Sequence, residues 1–123
     1  MKRRIAVVED NPDNRLLLQV LLSDLYEVTE HVDGFEAIAQ IPLAPPDLVL
    51  LDVSLPGLDG PGVLKQLRAH AAMAGVPIIA LTAHAMTGDR ERFLAAGFDD
   101  YVSKPIVDEQ LLFDAIARQF QTP

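Results

Sequence analysis

The chain has 123 residues, half of them hydrophobic and 23% charged, with 18 acidic against 10 basic side chains and a formal net charge of −8. That is the composition of one folded domain with a core of its own, not of a disordered segment. The absence of cysteine excludes thiol catalysis, disulfides and thiolate zinc sites, and the acidic surplus argues against direct nucleic-acid binding, which needs cationic faces.

In chain order, Lys2-Arg3-Arg4 leads into a first strand predicted over Arg4–Glu9, whose apolar run Ile5-Ala6-Val7-Val8 stops at Glu9-Asp10. A helix follows, with Asp10 as a candidate N-cap and Pro12 in its first turn. From Arg15 to Asp24 it carries a stripe of Leu16, Leu17, Val20 and Leu21, widened by Leu18 and Leu22. Tyr26–His31 reads as an edge strand, interrupted by Glu27, Thr29 and Glu30. Asp33, with Glu36 three residues on, caps a short helix to about Ile41, and Pro42 to Pro46 form a turn.

The third strand is expected over Asp47–Asp52; its apolar run Leu48-Val49-Leu50-Leu51 stops at Asp52. A turn punctuated by Pro56, Gly57 and Gly60 leads to a helix over Gly60–Ala72, with Val63, Leu64 and Leu67 on one face. Val76–Thr82 is the fourth strand. A helix over Thr87–Ala96 should turn Phe93 and Leu94 inward and stop at a left-handed Gly97. The fifth strand, Asp100–Ser103, runs into Lys104-Pro105, and Asp108 caps a last helix in which Leu112, Ile116 and Phe120 repeat every four residues.

Continuously apolar strands alternating with amphipathic helices predict a parallel sheet covered on both faces. The expected fold is therefore α/β: a doubly wound, five-stranded (βα)5 domain spanning residues 1–123, with no linker, repeat or output domain. No targeting segment and no stretch of the ~20 apolar residues a membrane span needs is visible, so a cytoplasmic protein with no membrane partner is expected. His31, His70 and His84 lie too far apart for metal-ligand spacing.

In such a sheet, ligands bind outside the carboxyl ends of the strands. Glu9, Asp10, Asp52, Thr82 and Lys104 all fall there. Each has an ordinary reading: Asp10 as a helix cap, Asp52 as a turn opener, Thr82 as a strand terminus, Lys104 as a solvated lysine. Together they make a different kind of set. Clustered carboxylates repel one another, an arrangement that persists when a cation neutralises it. Mg²⁺ suits it, because that ion takes one or two carboxylates plus phosphate and keeps several waters. Lys104 is a point charge suited to a phosphoryl oxygen, which a cis Pro105 would help to aim, and the Thr82 hydroxyl can donate to an oxyanion.

These residues resemble the response-regulator receiver domains of two-component phosphorelays, over roughly Arg4 to Phe120. The resemblance rests on Glu9-Asp10, on Asp52 with Pro56-Gly57-Leu58-Asp59-Gly60, on Thr82-Ala83 and on Lys104-Pro105. It implies the flavodoxin-like receiver fold, with strand order 2-1-3-4-5. It further implies that Asp52 accepts a phosphoryl group from a histidine of a histidine kinase or histidine phosphotransfer protein. Mg²⁺, or Mn²⁺, would be held by Asp10, Asp52 and the Ser54 carbonyl, with Glu9 acting through water.

By the same resemblance, Lys104 and Thr82 bind phosphoryl oxygens near the Val53 and Ala83 amides. Thr82 and Tyr101 form the switch that changes the face made by the fourth helix, fifth strand and fifth helix. Ser54, Ala83 and His84 tune the lifetime of the phosphoryl group. The first helix around Asn11–Leu18, with Pro105-Ile106, borders the donor, Asn14 and Leu18 touching it while Leu17 and Leu21 lie in the core. The downstream partner is a protein, the state a monomer or a phosphorylation-dependent dimer. The helix start Asn11-Pro12-Asp13-Asn14-Arg15 and the segment from Ala85 to Arg90 look like the receivers of hybrid histidine kinases.

Three rivals compete. A haloacid-dehalogenase-type phosphatase needs an acid two residues after the nucleophile, where Ser54 stands. A flavodoxin-like cofactor domain needs a Ser-, Thr- and Gly-rich loop where this chain has Glu9-Asp10-Asn11-Pro12-Asp13. A pseudo-receiver adaptor usually lacks a site residue, and none is missing.

Overall fold

The computed structural model describes residues 2–83, 89–104, 106 and 108–120. Five parallel strands, β1 (Arg4–Val8), β2 (Glu27–His31), β3 (Leu48–Asp52), β4 (Ile78–Thr82) and β5 (Asp100–Ser103), lie in the order β2-β1-β3-β4-β5. Between and after them run α1 (Pro12–Leu22), α2 (Gly34–Gln40), α3 (Gly60–Arg68), α4 (Asp89–Ala96) and α5 (Glu109–Phe120). The expected order and parallel sense hold. So do the caps at Asp33 and Asp108, and Gly97 adopts a φ of +113°.

The alternation of side chains along each strand divides the core in two. Ala6, Val8, Val49, Leu51, Ile78 and Ala80 pack with Val63, Leu64, Leu67, Phe93 and Phe98 of the α3 and α4 side. Ile5, Val7, Leu48, Leu50, Ile79 and Leu81 pack with Leu18 and Leu22 of α1 and Leu112, Ala115 and Ile116 of α5. β1, β3 and β4 are therefore buried on both faces, as their unbroken apolar runs require.

The differences from expectation have local causes. The buried side of α1 is Leu18 and Leu22, whereas Leu16 and Val20 are 62% and 63% exposed and Leu17 also faces solvent. Six apolar residues in the seven positions from Leu16 to Leu22 wrap most of the helix, so periodicity alone cannot choose the inner face. Leu94 is exposed while Phe93 turns inward, where its ring meets Phe98 edge-on at 5.9 Å. β4 starts at Ile78 rather than Val76, because Pro77 has no N–H for the ladder. α3 stops at Arg68, and a 3₁₀ turn over Ala71–Met73 completes the predicted helix; another occupies Ile41–Leu43. Thr87, Pro105 and the proposed tuning residue His84 lie outside the described residues.

Candidate functional site

β1, β3 and β4 end together, at or just before a polar side chain withheld from solvent: Glu9 follows β1, Asp52 and Thr82 close β3 and β4, and they are 1%, 2% and 1% exposed. Asp52 closes β3 beside Leu81, and the following Val53 N–H remains in the ladder, donating to the Leu81 carbonyl at 3.0 Å. That amide stands beside the site, as expected, with its hydrogen already in the ladder. α3 comes close to this loop only because residue 60 is glycine. A Cβ there would lie 2.4 Å from the Val53 Cα and 2.8 Å from the Asp52 carbonyl oxygen. Gly57, with φ +79°, makes the turn between them.

Lys104 enters from the end of β5, its N–H bonded to the Thr82 carbonyl at 2.7 Å. Its ammonium donates to Asp52 Oδ2 at 2.8 Å and to Glu9 Oε2 at 3.2 Å. Glu9 Oε1 accepts from the Asn11 N–H at 3.2 Å and from Asn14 Nδ2 at 3.4 Å. Asp52 Oδ1 accepts from the Ser54 N–H at 2.9 Å. The lysine thus sits on the carboxylate it was expected to serve after modification.

Asp10 is not the helix cap. Asn11 takes that role, its Oδ1 accepting from the Asp13 and Asn14 N–H groups at 2.8 and 3.1 Å. The Asp10 carboxylate is exposed and accepts no hydrogen bond among the described residues. One oxygen each of Glu9, Asp10 and Asp52 lie within 4.8 Å of one another. Three carboxylates cluster here, and the two buried ones, Glu9 and Asp52, share the Lys104 ammonium. Burial and then the neighbouring Asp52 charge push Glu9 above the usual carboxylate range, against the pull of Lys104. Burial alone would lower Lys104, but the hydrogen bond and charge of Asp52, with those of Glu9, outweigh it and raise it. A small divalent cation with a preference for oxygen fits this set: it supplies the missing positive charge and needs an acid free of other partners, which Asp10 is among the described residues.

The arrangement matches the family model described as the response regulator receiver domain over residues 5–117. The chain belongs to the response-regulator receiver family. The receiver is 43% identical over 112 residues to the sensor protein GacS of Pseudomonas syringae pv. syringae, covering 88% of this chain and 12% of that protein. It is 38% identical over 108 residues to the signal transduction histidine-protein kinase BarA of Escherichia coli K12, covering 87% of this chain and again 12% of the relative. It thus spans about an eighth of the length of these kinases. Among solved structures, the receiver domain of the sensor histidine kinase PA1611 of Pseudomonas aeruginosa PAO1 superposes with a TM-score of 0.88 at 38% identity, covering 99% of this chain and all of that one. That structure holds a magnesium ion coordinated in its active-site cleft. The chemotaxis protein CheY4 of Vibrio cholerae superposes at 0.87 with 26% identity, over 96% of this chain and 98% of that one. The receiver fold is a signalling domain, and no described helix is long and apolar enough to cross a membrane.

In the receiver, Tyr101 pairs with Ala80 across the sheet and is half-buried, its ring 5.7 Å from Phe93 of α4. Ser54 and Ala83 are exposed at the rim of the site. Two roles at the start of α1 went unread in the sequence: Asn14, expected only to touch the donor, holds the Glu9 carboxylate, and Arg15 donates from Nη1 to the Glu9 and Asp10 carbonyls at 2.8 and 3.0 Å. Their positions five and six residues after Glu9, on the first turn of the next helix, were the available signal.

Proposed function

We propose that this receiver accepts a phosphoryl group on Asp52 from a phosphohistidine of a histidine kinase or histidine phosphotransfer protein, with Mg²⁺ as cofactor. The observation that carries this reading is the buried Asp52 carboxylate, paired with Glu9 to Lys104 and clustered with the third carboxylate of Asp10. A structural ion-pair cluster has no use for such a surplus. Phosphoryl transfer does, since it requires mainly alignment and charge stabilisation.

In the reaction, an Asp52 carboxylate oxygen attacks phosphorus while the phosphorus–nitrogen bond of the donor breaks and the donor imidazole keeps the electron pair. When bound, Mg²⁺ neutralises charge on the phosphoryl oxygens; Asp10 and Asp52 with the Ser54 carbonyl would hold it, and Glu9 through water. Lys104 leaves the Asp52 oxygen for a phosphoryl oxygen, and so keeps a counter-charge throughout. Thr82 then hydrogen-bonds a second phosphoryl oxygen. Its displacement frees space for Tyr101 to turn, loosening the contact with Phe93 and changing the α4–β5–α5 face read by the downstream protein. Phosphorylation shifts this equilibrium only by its differential affinity for the two arrangements.

The donor docks beside the site. Leu16, Leu17 and Val20 form an exposed apolar face on α1, and Leu17, Asn14 and Ile106 line a small cavity next to Lys104. This revises the expected contact set, because Leu18 is buried and Leu17 is not.

Intact-mass measurement after incubation with acetyl phosphate and Mg²⁺ tests the reading. Wild type gains one phosphoryl group, and Asp52→Asn or excess chelator prevents it. An unlabelled wild type under several donors supports a non-phosphorylated adaptor instead.

A further inference from the structure

Arg15 has a place in the site that its charge does not explain. It is half-buried on the first turn of α1, and among the described residues it makes no ion pair with the acidic cluster. Both hydrogen bonds from its Nη1 go to backbone carbonyls, those of Glu9 and Asp10, at 2.8 and 3.0 Å. Helix α1 is in turn fastened to the same loop, because Asn11 caps it and the Arg15 N–H bonds the Asn11 carbonyl at 3.0 Å. The two acids are therefore held in different ways. The Glu9 side chain is gripped directly, by Asn11, Asn14 and Lys104. The Asp10 side chain is gripped by nothing among the described residues, and only its backbone is fixed.

We propose that Arg15 is a positioning residue for the cation site, fixing the Glu9–Asp10 backbone so that the unrestrained Asp10 carboxylate meets the ion in one orientation. The proposal rests on the Mg²⁺ reading above. Its sign is what makes it testable. As a charge alone, a guanidinium near the site repels a cation, so removing it should tighten Mg²⁺ binding. As a clamp, removing it should weaken binding, because the outer hydrogen-bonding partners of a metal ligand are worth about 10- to 100-fold in affinity.

The test is calorimetric titration of the full chain with MgCl₂ for wild type, Asp10→Asn, Arg15→Met and Arg15→Lys, together with carbonyl ¹³C shifts of Glu9 and Asp10. Arg15→Met keeps the aliphatic stem and loses the donors; Arg15→Lys keeps the charge and a shorter donor. We expect Arg15→Met to bind Mg²⁺ about tenfold more weakly, with both carbonyl shifts moved and the maximal extent of phosphorylation restored at saturating Mg²⁺. Arg15→Lys falls between Met and wild type. Unchanged or tighter binding by Arg15→Met overturns the clamp. Should Arg15→Met lose the wild-type circular dichroism, Arg15→Gln replaces it under the same criterion. Failure of the underlying reading looks different: wild type and Asp10→Asn then bind Mg²⁺ equally, or not at all.

Discussion

The two ends of the sheet hold carboxylates and cations in different proportions, balanced at one and acid-rich at the other. At the amino end, Arg68 donates to the Met73 and Val76 carbonyls at 3.1 and 2.6 Å and to Asp99 Oδ2 at 2.8 Å, while the same Asp99 oxygen accepts the Ile78 N–H at 2.7 Å. One guanidinium meets one carboxylate there. At the carboxyl end, Glu9 and Asp52 share Lys104, and Asp10 adds a third carboxylate beside them. The first cluster joins α3, β4 and β5 and is complete as it stands; the second is complete only with further positive charge. Balance separates a structural ion pair from a site prepared for a ligand.

Removing the cation at each end should therefore have different consequences. Lys104→Met strands two buried carboxylates and costs about 3 kcal/mol at neutral pH in urea unfolding, most of it recovered by added Mg²⁺. Arg68→Ala loses charge-assisted bonds at a partly exposed position and costs about 2 kcal/mol, none of it recovered by Mg²⁺. Equal responses to Mg²⁺ at the two ends would break the distinction.

Removing a carboxylate should give effects of opposite sign. Asp99→Asn destabilises, because it discards the partner of Arg68. Glu9→Gln stabilises the metal-free protein at neutral pH. The sign follows from linkage: a carboxyl raised in the folded state loses stability on ionising, so the cost is absent below its ordinary value of 4.5 and grows as the pH rises through the window up to its raised value. The advantage of Glu9→Gln over wild type should fade as the pH falls toward 4.5. Parallel pH curves for the two proteins would contradict it.

The smallest effect belongs to His31, at the end of β2. Its Nδ1 is buried without a hydrogen bond among the described residues, 3.7 Å from Glu36 Oε1. Burial lowers its pKa against the pull of Glu36. The unfolded chain therefore takes up a proton as the pH falls through 6.5, before the folded protein does, and stability declines from there down to the lowered value. A His31→Gln variant should show a shallower slope across that window in thermal unfolding.

Strand ends were readable because a fully apolar run that stops on a polar residue marks both the burial of the strand and the edge it reaches; Leu48–Asp52 needed no other information. The inner face of α1 was not, because Leu16, Leu17, Leu18, Val20, Leu21 and Leu22 offer the core several equivalent choices. The phase is set by the cap at Asn11 and by the β1 and β3 side chains that receive Leu18 and Leu22. Asp10 and Asn11 are adjacent and both able to cap, so only the backbone geometry could free Asp10 for the site. Arg15 acts through carbonyl oxygens, which every residue carries, and left no mark in side-chain chemistry.

The claim that the unbalanced end exists to receive a phosphoryl group is tested most directly by trapping the product. Acetyl phosphate and Mg²⁺ are added, the chain is reduced with borohydride, which converts an acyl phosphate to the alcohol, and the peptides are mapped by mass. The account predicts homoserine at position 52, and its loss when Mg²⁺ is chelated. Reduction at another carboxylate, or none at position 52 in a chain that has gained phosphate, would contradict it.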